Sequence, residues 1–312
     1  GYLTYTAARD LLVERAQRTL LDTTRILSSH LQAGFGQLGR DATMLAMLAG
    51  GLPLPGGPVP TAAQAQSLET LAQMFRAQLL ARPGLLQVQL IGLRDHGLEL
   101  VHLQRLADER IVRVVGAALQ EKAHFPYVYE TARLTSGGVY FTEFGINRED
   151  GVPQEERAVF SVAAPVVQGT AVVAVVVLRV DAEAFLRHFG ATLPAPYGFY
   201  LASRWGDFLA HPEREKAFGF DRGQRVLVQE EFVATAALLS GAERELVFSH
   251  TESPGGAQIQ AFVRVPFGAR DDGRFLLLGL SQSMSAVLAE AQGLGDTIVK
   301  MIAVLALVAA LL

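Results

Sequence analysis

Between Thr6 and Leu48 the chain runs without a proline, and its apolar side chains keep to one helical face. Leu20, Leu27, Leu31, Phe35, Leu38, Ala42 and Leu45 follow one another by 7, 4, 4, 3, 4 and 3 positions, a stripe close to a heptad seam. A helix of about forty residues measures about 60 Å, far more than a compact domain needs. Gly34, Gly36 and Gly39 weaken its middle by about 1 kcal/mol each, which predicts a bend there. The stripe can bury against the chain's own sheets or against a second copy, and the spacing leaves both open.

The other end is apolar. From Met301 to Leu312 the sequence reads MIAVLALVAALL, without a polar side chain. That is short of the roughly 20 residues that span a bilayer, yet no Gly, Pro or basic cluster closes the run. It reads as the first half of a transmembrane helix, with a C-terminal core helix as the alternative. The N-terminus lacks the basic region and apolar core of a signal peptide. A long amphipathic helix at one end and an apolar one at the other suggest a module outside a membrane.

Composition narrows the classes. Half of the 312 residues are hydrophobic and 19% charged, which excludes a disordered or low-complexity protein. A net charge of −4 gives no electrostatic case for nucleic acid. With no cysteine there is no disulfide, thiol nucleophile or thiolate metal site, which suits a bacterial envelope protein.

Gly50 to Pro60 (GGLPLPGGPVP) is a non-helical linker, and Thr61 to Leu80 returns to helical spacing. Leu86 to Leu93 and Leu98 to Gln104 alternate apolar and polar residues round Arg94-Asp95-His96-Gly97, a hairpin. A helical stretch is expected from Leu119 to Leu134 and a strand from Val139 to Phe144. Ala158 to Val167 and Ala171 to Val180 form a second hairpin, and AVVAVVVLRV, apolar on both faces, reads as a central covered strand. A short helix spans Asp181 to Phe189. After Pro194 and Pro196 the pattern restarts: strands at Phe199 to Ser203 and Asp207 to His211, a helix-compatible stretch from Glu230 to Leu239, and strands at Leu246 to His250, Gln258 to Val265 and Arg274 to Ser281. Each half is thus a sheet of about five strands with short helices. Neither alternates βαβα, so a parallel nucleotide-binding sheet is not expected.

Taken in order, these features resemble the extracytoplasmic double Cache sensor domains of bacterial membrane receptors. The phrases that carry the resemblance are LLQVQLIGL from Leu85, LQEK from Leu119, VYFTE from Val139, Asn147 to Gly151 and Ala164-Pro165-Val166. In the second half they are Gly206-Asp207-Phe208-Leu209-Ala210-His211-Pro212 and Phe218 to Gly223. The resemblance implies an α+β fold: a long N-terminal helix over 1–50, a membrane-distal PAS-like subdomain over 51–190, a proximal one over 191–282, and a C-terminal helix entering the membrane over 283–312. It also implies ligand sensing and signalling for a histidine kinase, diguanylate cyclase or chemoreceptor in the bacterial inner membrane, with this domain in the periplasm.

The candidate pocket is Lys122, His124, Tyr127 and Tyr129, followed by Tyr140 and Glu143 on the next strand: aromatic walls with a few convergent polar groups. The resemblance implies that this helix and strand line the distal pocket, and that Asp181, at the end of the last distal strand, supplies an acidic group. Amino-acid-binding members usually carry Arg-x-Trp-Tyr where this chain has His124-Phe125-Pro126-Tyr127. Arg94, Lys122 and Arg148 are exposed basic groups that could hold an anion or stand as solvated charges. Asn147 to Gly151 reads as a lid or a surface turn. Asp207, His211 and nearby Trp205 mark a second site or serve strand ends and turns.

The seven histidines show no metal-ligand spacing, and G-x-S-x-G, P-loop and dinucleotide fingerprints are missing. The expectation is a non-enzymatic sensor without cofactor or metal. Its partners are a small-molecule ligand, the membrane through the C-terminal helix and, left open, a second copy. The alternatives are an anchored periplasmic module that senses through a protein partner, and an extracytoplasmic hydrolase.

Overall fold

The computed structural model describes residues 2–94, 96–147, 157–194, 197–251, 256–268 and 272–289, with 300, 301 and 304 beyond them. Contacts divide the chain into two compact units. The first holds 30–191 together with 266–275; the second holds 1–29, 192–265 and 276–312. Helix α1 (Tyr2–Gly50) contributes to both.

The expected stripe is buried within the chain, from Leu20 through Leu45. The glycines of α1 do not interrupt it: helical structure is continuous to Gly50. Gly34 is a point of close approach instead. A Cβ there would stand 2.9 Å from the ring tip of Phe189 and 3.2 Å from that of Phe185. At Gly36 the nearest atom is the mobile end of Arg40.

In the first unit, α2 (Ala62–Ala81) starts at a capping box in which Thr61 and Gln64 satisfy each other's backbone amides. It buries Leu71, Phe75 and Leu79. The sheet comprises β1 (Leu85–Gly92), β2 (Glu99–Arg105), β3 (Ile111–Val114), β4 (Tyr140–Phe141), β5 (Gly145–Ile146), β6 (Ala158–Gln168) and β7 (Ala171–Asp181). Its order is β3-β2-β1-β7-β6-β4, with β5 also on β6, and every pairing is antiparallel. The Val-rich run is indeed central, between β1 and β6.

Several expectations change. Strand β3 was not foreseen, and seven strands are described instead of about five. The helix expected over 119–134 is reduced to α3 (Pro126–Tyr129) between single 3-10 turns. Pro126 is the reason: it opens α3 and holds Phe125 extended, so no helix enters from upstream. The strand expected over 139–144 is shortened to β4, and β5 follows it at Gly145–Ile146, where no strand was expected. Helix α4 (Ala182–Gly190) follows β7 as expected.

The second unit has β8 (Tyr197–Ala202), β9 (Phe208–Ala210), β10 (Glu245–His250), β11 (Gln258–Pro266) and β12 (Phe275–Ser283) in the order β10-β11-β12-β8-β9. The expected helix over 230–239 is two short ones, α5 (Val228–Glu231) and α6 (Ala236–Ser240). Phe232 leaves the helical conformation between them and buries its ring against Tyr200 and Phe262. Residues 284–289 are helical. The apolar run beyond lies, apart from Met301 and Val304, outside the described residues, and among these no helix is long and apolar enough to cross a membrane.

Candidate functional site

Directly opposed residues of antiparallel strands share a face of the sheet, so the register of the first unit lays out the site. One row runs Glu99, Ile91, Val175, Pro165; the next runs His102, Gln89, Val177, Ala163, Tyr140; the third runs Gln104, Gln87, Arg179, Ser161. Leu100 is the extra residue of a β-bulge that turns Glu99 onto this face. The alternation of β1 suggests one wet face, yet all eight of its residues are buried. The polar set is therefore covered, and a covered polar face must find partners.

Those partners form a chain. The Gln89 side-chain amide donates to Gln87 Oε1 at 3.2 Å and lies 3.4 Å from His102 Nε2. His102 Nδ1 lies 3.3 Å from Glu99 Oε2, which also accepts from the Gln120 amide at 3.0 Å. Burial pushes the Glu99 carboxyl up, but the His102 hydrogen bond and charge, the Gln120 amide and Lys122 outweigh it and leave Glu99 below the ordinary carboxylate value. Gln89 Oε1 and Glu99 Oε1 are buried with no hydrogen-bond partner. In the third row Arg179, 2% exposed, donates to Asn147 Oδ1 at 3.3 Å.

The covering segment is pinned to the β1–β2 turn. The amides of Lys122 and Ala123 donate to the carbonyls of Gly97 and His96. Gly97 is required at this crossing, because it sits at φ +75° and a Cβ would stand 2.6 Å from the Ala123 nitrogen. Lys122 Nζ lies 4.0 Å from Glu99 Oε1 and 5.2 Å from the centre of the Phe125 ring. Phe125 stacks on Tyr127 at 5.4 Å and 12°. Tyr127 and Val128 close over Ile91, Ala163, Val175 and Val177, with Leu93, Phe125 and Tyr140 packed at the margin.

At the β4 margin the Arg274 guanidinium lies 5.5 Å from the Tyr140 ring centre and 3.5 Å from Glu143 Oε1. Its Nε donates to Asp272 at 2.9 Å. Burial raises the Tyr140 phenol above its ordinary value, against the pull of Arg274.

The sequence-derived candidates divide accordingly. Tyr127 and Tyr140 meet on the covered face, and Glu143 stands beside Tyr140 through Arg274. Lys122, expected as an exposed cation, is 1% exposed and bound to the Glu99 network. His124 and Tyr129 are exposed; His124 lies against Phe125, and Arg133 over Tyr129. Arg94 is exposed and holds the Gly56 carbonyl of the linker. Asp181 caps α4 through the Ala184 amide at 2.8 Å and lies 3.8 Å from Arg157. Arg148 and the rest of the 148–151 loop lie outside the described residues.

Gln87, Gln89, Glu99, His102, Arg179 and Arg274 were missed. The usable signal was polar residues inside strands that must be covered on both faces, such as the lone Arg179 in AVVAVVVLRV.

With two antiparallel sheets behind one long helix, and the face of the first built of polar and aromatic rows under a short cover, the architecture can be compared with known proteins. No protein-family model matches the chain. No curated protein matches it. Solved structures do. The extracellular domain of a histidine kinase, vpHK1S-Z8, is 13% identical at a TM-score of 0.67, covering 89% of this chain and 98% of that one. The periplasmic sensory domain of the Campylobacter jejuni chemoreceptor Tlp1 is 11% identical at 0.64, covering 89% and 98%.

The chain has the fold of an extracytoplasmic sensory domain.

The ligand-binding domain of the Pseudomonas aeruginosa PAO1 amino acid chemoreceptor PctB, in complex with L-Arg, shares this sensory-domain fold at 16% identity and a TM-score of 0.58, covering 90% of this chain and 93% of that one. The α+β class and the two-sheet order expected from the sequence are those of the sensory-domain fold.

Proposed function

We propose that this chain is the extracytoplasmic ligand-sensing part of a bacterial transmembrane receptor, not an enzyme, and that it binds a small molecule between the face of the first sheet and residues 122–131. The observation that carries this is the covered polar face of Gln87, Gln89 and His102 beside the aromatic cover of Phe125, Tyr127 and Tyr140. Burying unmatched acceptors such as Gln89 Oε1 lowers stability, and a ligand with a polar head and an apolar body would satisfy both halves of the face. That PctB, of the same fold, is in complex with L-Arg supports a small-molecule ligand.

Arg274 supplies a route for the signal. It stands just before β12, so a change at Tyr140 or Glu143 bears on its buried guanidinium. A shift between two packings of Arg274 against Tyr140 and Glu143, carried on through helices, is the conformational change we propose.

The test is binding by calorimetry across amino acids, small carboxylates and amines, repeated with Tyr127→Ala and Tyr140→Ala. Loss of binding by both variants with retained cooperative unfolding supports the site, and unchanged binding by both refutes it. A protein partner is the second reading, favoured by Met44, Met47 and Leu48, which stand exposed on the last turns of α1.

A further inference from the structure

A second polar column runs into the sheet of the other unit. At its outer end Lys216 Nζ bridges Glu213 Oε1 at 3.0 Å and Glu231 Oε2 at 3.2 Å, and both Lys216 and Glu231 are partly exposed. Next inward is His211. Its Nδ1 accepts from the Glu213 amide at 2.9 Å, so its proton sits on Nε2, 3.1 Å from Glu231 Oε1. The ring stands edge-on to Tyr200 at 5.0 Å. Tyr200 is buried, and burial raises its phenol above the ordinary value against the pull of Ser281 and Gln260.

Gln260 ends the column at 0% exposure. Its amide nitrogen donates to Gln258 Oε1 at 3.1 Å, while its Oε1 has no partner. Turning the amide over would only exchange an orphan acceptor for an orphan donor. Leucine would fill the same space without that cost. The surroundings are aromatic: Phe232 and Phe262 lie 5.4 Å and 5.9 Å from Tyr200.

We infer that this column is a second binding site, independent of the first sheet, whose ligand is a small protonated amine donating to Gln260 Oε1. Three features select that class. The unmet atom is an acceptor, so the ligand must bring a donor, N–H or O–H. The faces of Tyr200, Phe232 and Phe262 attract a cation. The outer end carries two carboxylates, Glu213 and Glu231, against one Lys216, which favours entry of positive charge. Entry requires α5, which carries Glu231, to move off the sheet.

The test titrates methylammonium and ethylammonium chloride into the full chain by calorimetry, against matched potassium chloride. The expected result is saturable binding to the wild type, weakened about tenfold or more in Gln260→Leu and Tyr200→Phe. Gln260→Leu should at the same time melt no lower than wild type. No saturable binding by either amine up to about 50 mM overturns the inference. So does amine binding that survives Gln260→Leu and Tyr200→Phe at wild-type strength.

Discussion

Arg274 lies with its guanidinium carbon 5.5 Å from the ring centre of Tyr140 and 5.2 Å from that of Phe267, its side chain nine-tenths buried. Two aromatic faces, Asp272 and Glu143 surround this one cation. Its Nη2 has no hydrogen-bond partner. Phe267 in turn packs 5.0 Å from Phe35 of α1 and 5.7 Å from Phe141 of β4. Phe267 and Arg274 are thus part of the core of the first unit.

Arg274→Ala removes a buried cation from between Tyr140 and Phe267 and takes one partner from Asp272 and Glu143. The expected loss is about 3 kcal/mol, read as a lower urea midpoint. Arg274→Met, which keeps the stem between the rings, should recover part of it. A change below about 0.5 kcal/mol for Arg274→Ala would mean that the turn does not hold the site margin.

Two glycines two residues apart on the same helix, Gly34 and Gly36, should respond in opposite ways. Gly36→Ala meets only the movable end of Arg40 and gains helix propensity, so it should stabilise by about 0.5–1 kcal/mol. Gly34→Leu drives a side chain into Phe189 and Phe185 and should destabilise by about 1–3 kcal/mol despite the same gain. Thermal unfolding of both variants separates the cases, and equal shifts would remove the close-approach explanation for Gly34.

The Glu99 carboxyl is held below its ordinary value of 4.5 in the folded chain. The unfolded chain therefore binds that proton more readily. The stability Glu99 contributes is complete above about pH 4.5 and is lost as pH falls through the folded value. Glu99→Gln should cost about 3 kcal/mol at neutral pH, because it takes a buried carboxylate from beside His102 and Lys122. It should then show a shallower acid loss than wild type in urea unfolding between about pH 5 and pH 3. Parallel acid limbs would show that Glu99 is not the linked group.

The frame was legible because periodicity reports burial. The stripe from Leu20 to Leu45 and the strands on either side of Gly169 stand where the spacing puts them. Local chemistry that overrides periodicity was harder to read. Pro126 cuts the expected helix at Phe125, and Phe232 breaks the next one by burying its ring. The site was half legible. Tyr127 and Tyr140 follow from aromatic clustering, but Lys122 looked solvated because its partner, Glu99, is distant in sequence and turned inward by a bulge at Leu100. Arg274 lies more than a hundred residues from Tyr140, and nothing local in either segment announces their contact.

The most direct test of the central claim is the thermal midpoint of wild type and Gln89→Leu across a set of amino acids, small carboxylates, amines and nucleobases. A ligand near 100 times its dissociation constant adds about 2.7 kcal/mol, several degrees for a chain of this size. The account expects one chemical class to raise the wild-type midpoint and to leave Gln89→Leu, itself no less stable, unmoved. An equal rise in both proteins, or none in the wild type, would contradict ligand binding at the first sheet.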